Sequence, residues 1–310
     1  MKVAVTGASG FIGGYLVPAL ADAGHEVVAL GRDAGGLTPL AGDGVRAHAT
    51  DYSATDLAEA LKGVDAVVHL AGRRSRREDD PLTFRPFAET NLNLLETLVF
   101  AARDAGVSSL VQASTIAVYS GANAVPYAET DLPVPLNPYG LSKLTSEQLL
   151  TLWGGKTGMR TTSLRLAATY GHGERISAVL MRFADAAWRG EPLTVRGNGR
   201  IGVDQIYVRD VVGAFTAALA PEAPGGVFNV GAGRVFSLME MAEAVNVAFG
   251  NDAALRIEDP QDGPAPAPHM SIEAARMDLG WKPEWSLERA LRDFYETRRA
   301  AQARANEDAR

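Results

Sequence analysis

The sequence has 310 residues, of which 46% are hydrophobic and 22% charged, which excludes a disordered chain and allows one large domain or two smaller ones. Its net charge of −7 would be repelled by phosphate backbones and anionic headgroups, so we expect neither nucleic acid nor membrane surfaces as partners. The chain has no cysteine, and its five histidines lack the spacing of a metal site. We therefore expect small-molecule chemistry without a metal.

The location of the protein is predicted from two features of the sequence. The apolar pattern begins at Val3, which leaves no room for a signal peptide. No apolar run approaches the length of about 18 residues that a membrane-spanning helix needs. We expect a cytoplasmic protein.

The first half of the sequence repeats one unit: a short β-branched run, a turn, and apolar residues at helical spacing. The predicted strands are residues 2–6, 26–30, 45–49, 65–70, 108–113 and 161–166. The predicted helices between them are residues 11–23, 55–61, 88–105 and 138–153, the last with Asn137 as N-cap and Pro138 at its first position. Strands that alternate with crossover helices predict a doubly wound parallel sheet.

After about residue 170 the pattern is less regular and richer in turns. Helical spacing returns at residues 209–220, 237–249, 271–279 and 287–300, whereas residues 303–310 lack apolar periodicity and are predicted to fray. We therefore predict an α/β fold with a doubly wound sheet in residues 1–170 and a smaller, irregular α/β lobe in residues 171–310. A segment at about 204–230 is expected to return to the first domain.

A spaced-glycine sequence, Gly7-x-x-Gly10-x-x-Gly13, follows the first predicted strand and begins the first predicted helix. Gly7 would permit the tight turn, Gly10 would let the backbone approach a pyrophosphate, and Gly13 would let the helix pack against the strand. The helix N-terminus at Phe11 and Ile12 would face the phosphates. This context predicts a Rossmann-type domain that binds a dinucleotide, with the C-terminal lobe binding the substrate.

The end of the second strand bears on which dinucleotide binds, because an acidic residue there accepts the ribose hydroxyls of NAD. Gly31 stands at that place, and Arg32 could pair with a 2′-phosphate, so we expect NADP(H) rather than NAD(H). The alternative is a solvated Arg32, with Asp33 contacting the ribose. Asp51 and Tyr52, after the third strand, are predicted to lie at the adenine edge.

Tyr139 and Lys143 are four residues apart at the start of a predicted helix, so both side chains share one face. A tyrosine that acts as a base near neutrality needs its pKa lowered by about 3 units from about 10. A nearby ammonium and a cationic nicotinamide ring could provide this shift. The alternative, a solvated Tyr/Lys pair on a helix surface, is common for this pattern taken alone.

With these two motifs, further segments make the chain resemble an extended short-chain dehydrogenase/reductase, a superfamily of nucleotide-sugar epimerases, dehydratases and ketoreductases. These segments are His69-Leu70-Ala71-Gly72, Asn91-Leu92-Asn93, Ser114-Thr115-Ile116-Ala117-Val118-Tyr119, Tyr207-Val208-Arg209-Asp210, Phe228-Asn229-Val230-Gly231 and Leu279-Gly280-Trp281-Lys282-Pro283. The resemblance runs nearly end to end.

The resemblance implies a role for each matching residue. Thr115 would hydrogen-bond the substrate oxygen, Tyr139 would exchange a proton with it, and Lys143 would hold the nicotinamide ribose and lower the phenol pKa. Arg74 stands where relatives often carry a phosphate-contacting lysine, although it also belongs to a basic run that is typical of a solvated loop. The cofactor pocket would further include Leu70, Ala71, Gly72 and Asn91.

The sequence departs from the family pattern at several positions. Ile116 and Ala117 replace the acid/base pair of dehydratases, so we do not expect dehydration. Val203 and Ala168 stand where sugar-nucleotide enzymes hold the diphosphate, and no basic residue lies between residues 259 and 268. Four arginines of the second lobe could substitute, namely Arg182, Arg200, Arg209 and Arg234.

Three functions follow, in order of preference. The first is a ketoreductase in which NADPH delivers hydride to a ketone of a sugar or nucleotide sugar and Tyr139 protonates the oxygen. The second is a nucleotide-sugar epimerase that retains NAD, and the third is a dinucleotide-sensing protein without turnover. The resemblance also implies a homodimer formed through the helices that begin at Ala88 and Pro138.

Overall fold

The computed structural model describes residues 1–76, 78–175, 178–259 and 267–308. Its strands are β1 (Lys2–Thr6), β2 (Glu26–Gly31), β3 (Val45–Ala49), β4 (Ala66–His69), β5 (Ser109–Thr115), β6 (Arg160–Leu166), β7 (Ala168–Tyr170), β8 (Thr194–Arg196), β9 (Gly202–Val203), β10 (Gln205–Tyr207), β11 (Gly226–Val230), β12 (Phe236–Ser237) and β13 (Arg256–Glu258). Seven of these form a parallel central sheet in the order β11-β6-β5-β4-β1-β2-β3.

Helices cover both faces of this sheet, because its buried strands are apolar on both sides. The α-helices are α1 (Phe11–Asp22), α2 (Ala34–Leu37), α3 (Ala54–Ala60), α4 (Arg85–Phe87), α5 (Leu94–Asp104), α6 (Pro138–Thr157), α7 (Val179–Trp188), α8 (Val208–Leu219), α9 (Leu238–Phe249), α10 (Glu273–Asp278) and α11 (Leu287–Asp308). The apolar residues of α1 and α8 pack on one face, and those of α3, α5 and α6 pack on the other. The predicted doubly wound Rossmann-type sheet is confirmed.

A second apolar core lies between α7, α9 and α11, with Phe183, Met241 and Phe294 among its buried members. Three two-stranded pairs accompany it: β7 with β10, β9 with β12, and β8 with β13. Strand β11 pairs with β6 at the edge of the central sheet, although it follows this lobe's first elements in the chain. The assignment of one domain to the dinucleotide and one to the substrate stays a prediction.

The structure differs from the predicted elements at several places, among them helix α7 and the short strands β8, β9, β10, β12 and β13 of the second lobe, which the sequence pattern did not predict. The helix predicted for residues 88–105 is a π-helical stretch, Ala88–Asn93, followed by α5. The prediction of a frayed C-terminal segment is wrong, since α11 continues to Asp308. Its last turns contain alanine, arginine, glutamine and glutamate, whose helix propensity is high enough to extend the helix without an apolar face. The last two residues, residue 77 of the basic run and residues 260–266 of the Pro-rich stretch lie outside the described residues.

No helix in the described part of the chain is both long enough and apolar enough to cross a membrane.

Candidate active site

The glycine turn between β1 and α1 forms a backbone cradle that side chains would fill. Gly7 has φ +68°, and a Cβ atom on it would lie 2.7 Å from the amide nitrogen of Ala71. A Cβ atom on Gly13 would lie 2.5 Å from the carbonyl oxygens of Gly7 and Ala8. Gly10 is the N-cap and offers no side chain to the amides of the first turn, which stay available to an anion. These residues fit the pyrophosphate of a dinucleotide.

The end of β2 is shaped by packing rather than by phosphate recognition. A Cβ atom on Gly31 would lie 3.2 Å from both a Leu37 methyl and the Ser9 hydroxyl, so a larger residue would crowd this turn. The exposed Arg32 guanidinium lies 5.7 Å from the ring centre of Tyr52, within cation–π distance. The Asp33 carboxylate accepts a 3.0 Å hydrogen bond from the Gly35 amide and caps α2.

Tyr52 lies directly beneath the glycine turn. It is 7% exposed, and its hydroxyl accepts a hydrogen bond from the Gly7 amide at 3.2 Å. Burial raises the pKa of Tyr52. Asp51 beside it is exposed and accepts a hydrogen bond from the Ser53 amide at 2.7 Å. Tyr52 therefore stabilises the turn, and contact of either residue with adenine stays a prediction.

Residues after β4 line the opposite side of the same turn. The amide of Leu70 donates to the carbonyl oxygen of Thr6, and the amide of Ala71 donates to the Thr6 hydroxyl. A Cβ atom on Gly72 would lie 3.1 Å from Oδ1 of Asn91 and 3.6 Å from Nζ of Lys143. Gly72 therefore connects the glycine turn with the N-terminal part of α6.

Asn91 is held by the π-helical stretch that precedes α5. It is 2% exposed, and its Oδ1 accepts from the Arg73 amide at 2.7 Å while its Nδ2 donates to the Ser142 hydroxyl at 2.9 Å. The wider π-helical turn displaces this segment from regular helical positions, a feature often found at functional sites. The resemblance identified Asn91, but the hydrophobic periodicity gave no signal for the π-helical turn.

Lys143 is buried at the base of the site. Helix α6 begins as predicted, because the Asn137 side chain accepts from the Gly140 amide at 2.8 Å. Lys143 is 7% exposed, and its Nζ donates to the carbonyl oxygen of Ala113 at 2.8 Å. Burial lowers the pKa of Lys143 to about 8; Glu147 opposes this shift and Arg74 adds to it.

Tyr139 lies one turn before Lys143, close to the hydroxyl of Thr115 at the end of β5. Its ring centre is 6.2 Å from that of Phe87. Burial raises the pKa of Tyr139, Arg74 and the Thr115 hydroxyl lower it, and Glu174 raises it. The cation that acts on the phenol in this structure is therefore Arg74, whereas the sequence pointed to Lys143.

The Arg74 side chain extends from the loop after β4 to Glu174 in the loop after β7. Its Nη1 donates to Oε2 of Glu174 at 2.6 Å, and the Glu174 side chain is only 3% exposed. Glu174 was missed in the sequence because it stands alone in a loop after β7 and belongs to no motif. Thr115, Tyr139, Lys143, Asn91 and Gly72 are thus brought together, and Arg74 adjoins them.

The described residues contain no group of three or more His, Asp or Glu side chains placed to hold a metal ion.

Comparison with known proteins identifies the family. The model described as the NAD dependent epimerase/dehydratase family matches residues 3–231. The chain belongs to this family. It is 32% identical over 305 residues to UDP-glucose 4-epimerase from Mycolicibacterium smegmatis, with 93% of this chain and 95% of that protein covered.

Solved structures agree with this assignment. UDP-N-acetylglucosamine 4-epimerase from Bacillus cereus superposes with a TM-score of 0.85 at 30% identity, covering 96% of each chain. UDP-glucuronic acid 4-epimerase from Bacillus cereus, in complex with UDP-glucuronic acid and NAD, superposes with a TM-score of 0.84 at 26% identity, covering 97% of this chain and 100% of the other. The resemblance to extended short-chain dehydrogenases/reductases is confirmed, and the chain is an enzyme of the NAD-dependent epimerase/reductase class.

The prediction of NADP(H) is wrong, because the solved UDP-glucuronic acid 4-epimerase holds NAD. The structure gives the physical reason for the error. Gly31 is small because Leu37 and Ser9 crowd it, so the missing acidic residue there does not signal a 2′-phosphate. Arg32 already lies against Tyr52.

Proposed function

We propose that this enzyme is an NAD-dependent nucleotide-sugar 4-epimerase, acting on a UDP-sugar. The observation that carries the proposal is the convergence of Thr115, Tyr139 and Lys143 beside the glycine turn. The named epimerases of M. smegmatis and B. cereus, which this chain matches over more than nine-tenths of its length, support the reaction. Epimerisation thus takes precedence over the ketoreductase that the sequence favoured, since that preference depended on NADPH.

The dinucleotide would be held by the turn at Gly7, Gly10 and Gly13, with the first amides of α1 on the pyrophosphate and Lys143 with Asn91 near the nicotinamide end. Bound NAD supplies a hydride acceptor that later returns the hydride to the same carbon. Because the sugar is oxidised and then reduced, the reaction is an isomerisation and consumes no reductant. A retained cofactor is sufficient for it.

Tyr139 would remove the proton from the sugar hydroxyl as hydride leaves its carbon, and would return a proton when hydride is delivered to the other face. Thr115 would donate or accept a hydrogen bond at the same oxygen and hold it at the phenol. Since burial raises the pKa of free Tyr139, the base form depends on cations nearby, of which Arg74 is one and the bound nicotinamide would be another.

The C-terminal lobe offers a place for an anionic nucleotide. A cavity of about 400 Å³ lies between α7, β8 and β13; its lining includes Arg182 and Arg196 but also Glu191 and Glu258, and Glu258 lies 3.8 Å from Arg196. Arg182 thus stays a candidate for the diphosphate. Arg209 and Arg234 are engaged elsewhere, with Asp293 and Glu240 at 2.8 Å each.

The experiment has two parts. The nucleotide released from denatured protein is identified, with NAD expected. The native protein is then incubated without added reductant with UDP-glucose, UDP-N-acetylglucosamine or UDP-glucuronic acid, and the 4-epimer is followed by proton NMR. Y139F should lose at least about 1,000-fold in turnover while still binding NAD, because acid/base contributions are of this size. Y295F removes a phenol in the C-terminal lobe and should behave like the wild type.

Each contrary result has a clear meaning. Net reduction of a 4-keto sugar with added NADPH, and no epimer, would restore the ketoreductase. Full turnover by Y139F would remove the proposed acid/base group, and bound dinucleotide without turnover of any of the three sugars would favour a sensing protein.

We also propose that the protein is a homodimer through α5 and α6, as the family resemblance implied. The large apolar side chains of Phe100, Leu141 and Leu152 are exposed on these two helices, by 40%, 46% and 55%. These side chains lie on the two helices through which the resemblance implies that the dimer forms, where a partner chain would remove them from water.

A further inference from the structure

Three consecutive residues of β5 are tied to one face of α6. The carbonyl oxygen of Ala113 accepts from Nζ of Lys143 at 2.8 Å, the Ser114 hydroxyl donates to the carboxylate of Glu147, and the Thr115 hydroxyl lies close enough to the Tyr139 phenol to lower its pKa. The three partners on α6 are four residues apart, so they share one face of the helix. Glu147 therefore lies one turn beyond Lys143, on the side away from Tyr139.

Besides Ser114, Arg165 holds the carboxylate of Glu147 in place. The side chain of Glu147 is 3% exposed, and that of Arg165 on β6 is 5% exposed. Nε of Arg165 is 3.1 and 3.2 Å from the two carboxylate oxygens, and Nη2 is 2.7 Å from one of them. Arg165 also donates to the Tyr119 hydroxyl, which is hydrogen-bonded to Asn229 on β11 at 3.0 Å. These hydrogen bonds from Ser114 and Arg165 fix the orientation of the Glu147 carboxylate.

A buried ion pair of this kind is weak evidence for stability, because the desolvation of both charges offsets most of their attraction. Replacing a buried ion pair by apolar residues of similar volume often leaves the stability of a protein unchanged or raises it. The position of Glu147 beside the site suggests another reason for the charge.

The charges that surround Lys143 explain what Glu147 does. Arg74, from the loop after β4, repels the ammonium, although Glu174 partly neutralises it. On β4, burial lowers the pKa of His69 to about 3, so the imidazole facing Lys143 is neutral. On α6, Tyr139 is a neutral phenol near pH 7, because burial raises its pKa. Glu147 is the carboxylate that favours the charged form of Lys143 against burial and Arg74.

We propose that Glu147 is a positioning residue of the active site: its carboxylate, locked by Arg165 and Ser114, keeps the buried Lys143 in its ammonium form. A neutral lysine would donate weaker hydrogen bonds to the carbonyl oxygen of Ala113 and to the nicotinamide ribose that the resemblance assigns to it. The catalytic consequence rests on the proposed function, whereas the charge on Lys143 can be measured in the free protein.

The test is a direct titration of Lys143 by NMR. The chain contains five lysines, Lys2, Lys62, Lys143, Lys156 and Lys282, so protein labelled with ¹³C at lysine Cε gives few signals, and K143R identifies the one that matters. E147Q should lower the pKa of Lys143 by about one unit, the lower end of the effect of an opposite charge one helical turn away. S114A removes a hydrogen bond to Glu147 without removing its charge, so it should shift the pKa by much less.

Two further variants keep the test decisive. If E147Q does not fold because Arg165 is left unpaired, the double variant E147M/R165M removes both charges, as buried ion pairs often tolerate. It should still lower the pKa of Lys143, since the carboxylate is the charge of that pair that acts on it. R74Q should raise the pKa of Lys143, because the Arg74 guanidinium disfavours the ammonium form.

Activity gives a second readout. If the wild type is active, E147Q should move the alkaline limb of its kcat/KM profile to lower pH. E147D keeps a carboxylate at this position, so its profile should lie close to that of the wild type. An unchanged Lys143 titration in E147Q, or in the double variant where E147Q does not fold, overturns this proposal even if epimerisation is found. A wild type without turnover overturns the proposed function and leaves the titration to decide the role of Glu147.

Discussion

Nη1 of Arg74 and Oε2 of Glu174 are 2.6 Å apart, although one hundred residues separate them in the chain. This ion pair joins the loop after β4 to the loop after β7 beside the phenol of Tyr139. Its two members act on Tyr139 in opposite directions, since Arg74 lowers the pKa of the phenol and Glu174 raises it. The charges of this ion pair therefore help to set the pKa of Tyr139, the proposed base.

The first prediction concerns the effect of Arg74 and Glu174 on the pKa of Tyr139. If Tyr139 acts as a base, activity rises with pH through its pKa, so R74Q should move the rising limb of kcat/KM to higher pH. E174Q should move it to lower pH. Each shift should be up to about one unit, since Arg74 is half exposed to water and screened. Full pH–rate profiles measure this, and shifts in the same direction in both variants would contradict it.

The second prediction uses two neighbouring glycines of α1. In G13A the new methyl carbon would lie 2.5 Å from two carbonyl oxygens, so we expect a loss of roughly 1–3 kcal/mol in the free energy of unfolding and weaker NAD binding. In G14A the methyl group would meet no atom within 4 Å, and alanine should stabilise the helix by about 0.5–1 kcal/mol. Urea unfolding and NAD titration measure both. Equal stability of the two variants would show that the turn is not crowded.

The third prediction concerns the proposed dimer. L152R introduces a charge into the exposed apolar surface of α6, so light scattering after size exclusion should show a monomer where the wild type is a dimer. V247R is the matched control, since Val247 is 77% exposed on α9 in the other lobe. A wild type that is monomeric at micromolar concentration would contradict the proposed dimer, and an L152R protein that stays dimeric would place the interface elsewhere.

What the sequence predicted correctly depends on neighbours along the chain. The strand at residues 45–49 coincides with β3, and the Asn137 cap forms as expected, because periodicity and capping are local signals. The misinterpretation of Arg32 arose from a contact that the strand pattern does not show: Leu37 and Ser9 leave little room for a larger residue at position 31. Glu147 and Glu174 were missed for the same reason, since their partners Arg165 and Arg74 are 18 and 100 residues away.

The fourth prediction is a pH dependence of stability that originates at His69. Nδ1 of this buried histidine is 2.8 Å from the Thr6 hydroxyl, and burial lowers its pKa to about 3, below its ordinary value of 6.5. Between pH 3 and 6.5 the unfolded chain therefore binds more protons at this residue than the folded protein does. Stability rises with pH across this window and is lost on acidification.

The magnitude follows from the same shift. Between pH 6.5 and 4.5 the contribution of His69 should fall by roughly 2 kcal/mol, since one pKa unit corresponds to about 1.4 kcal/mol. H69N can still accept the Thr6 hydrogen bond but does not titrate, so its unfolding free energy should fall less steeply over this range. Urea unfolding of both proteins at several pH values measures the difference. Parallel curves would show that the pKa of His69 is the same in the folded and the unfolded protein, and the imidazole would then be a second cation near Lys143 below pH 6.5.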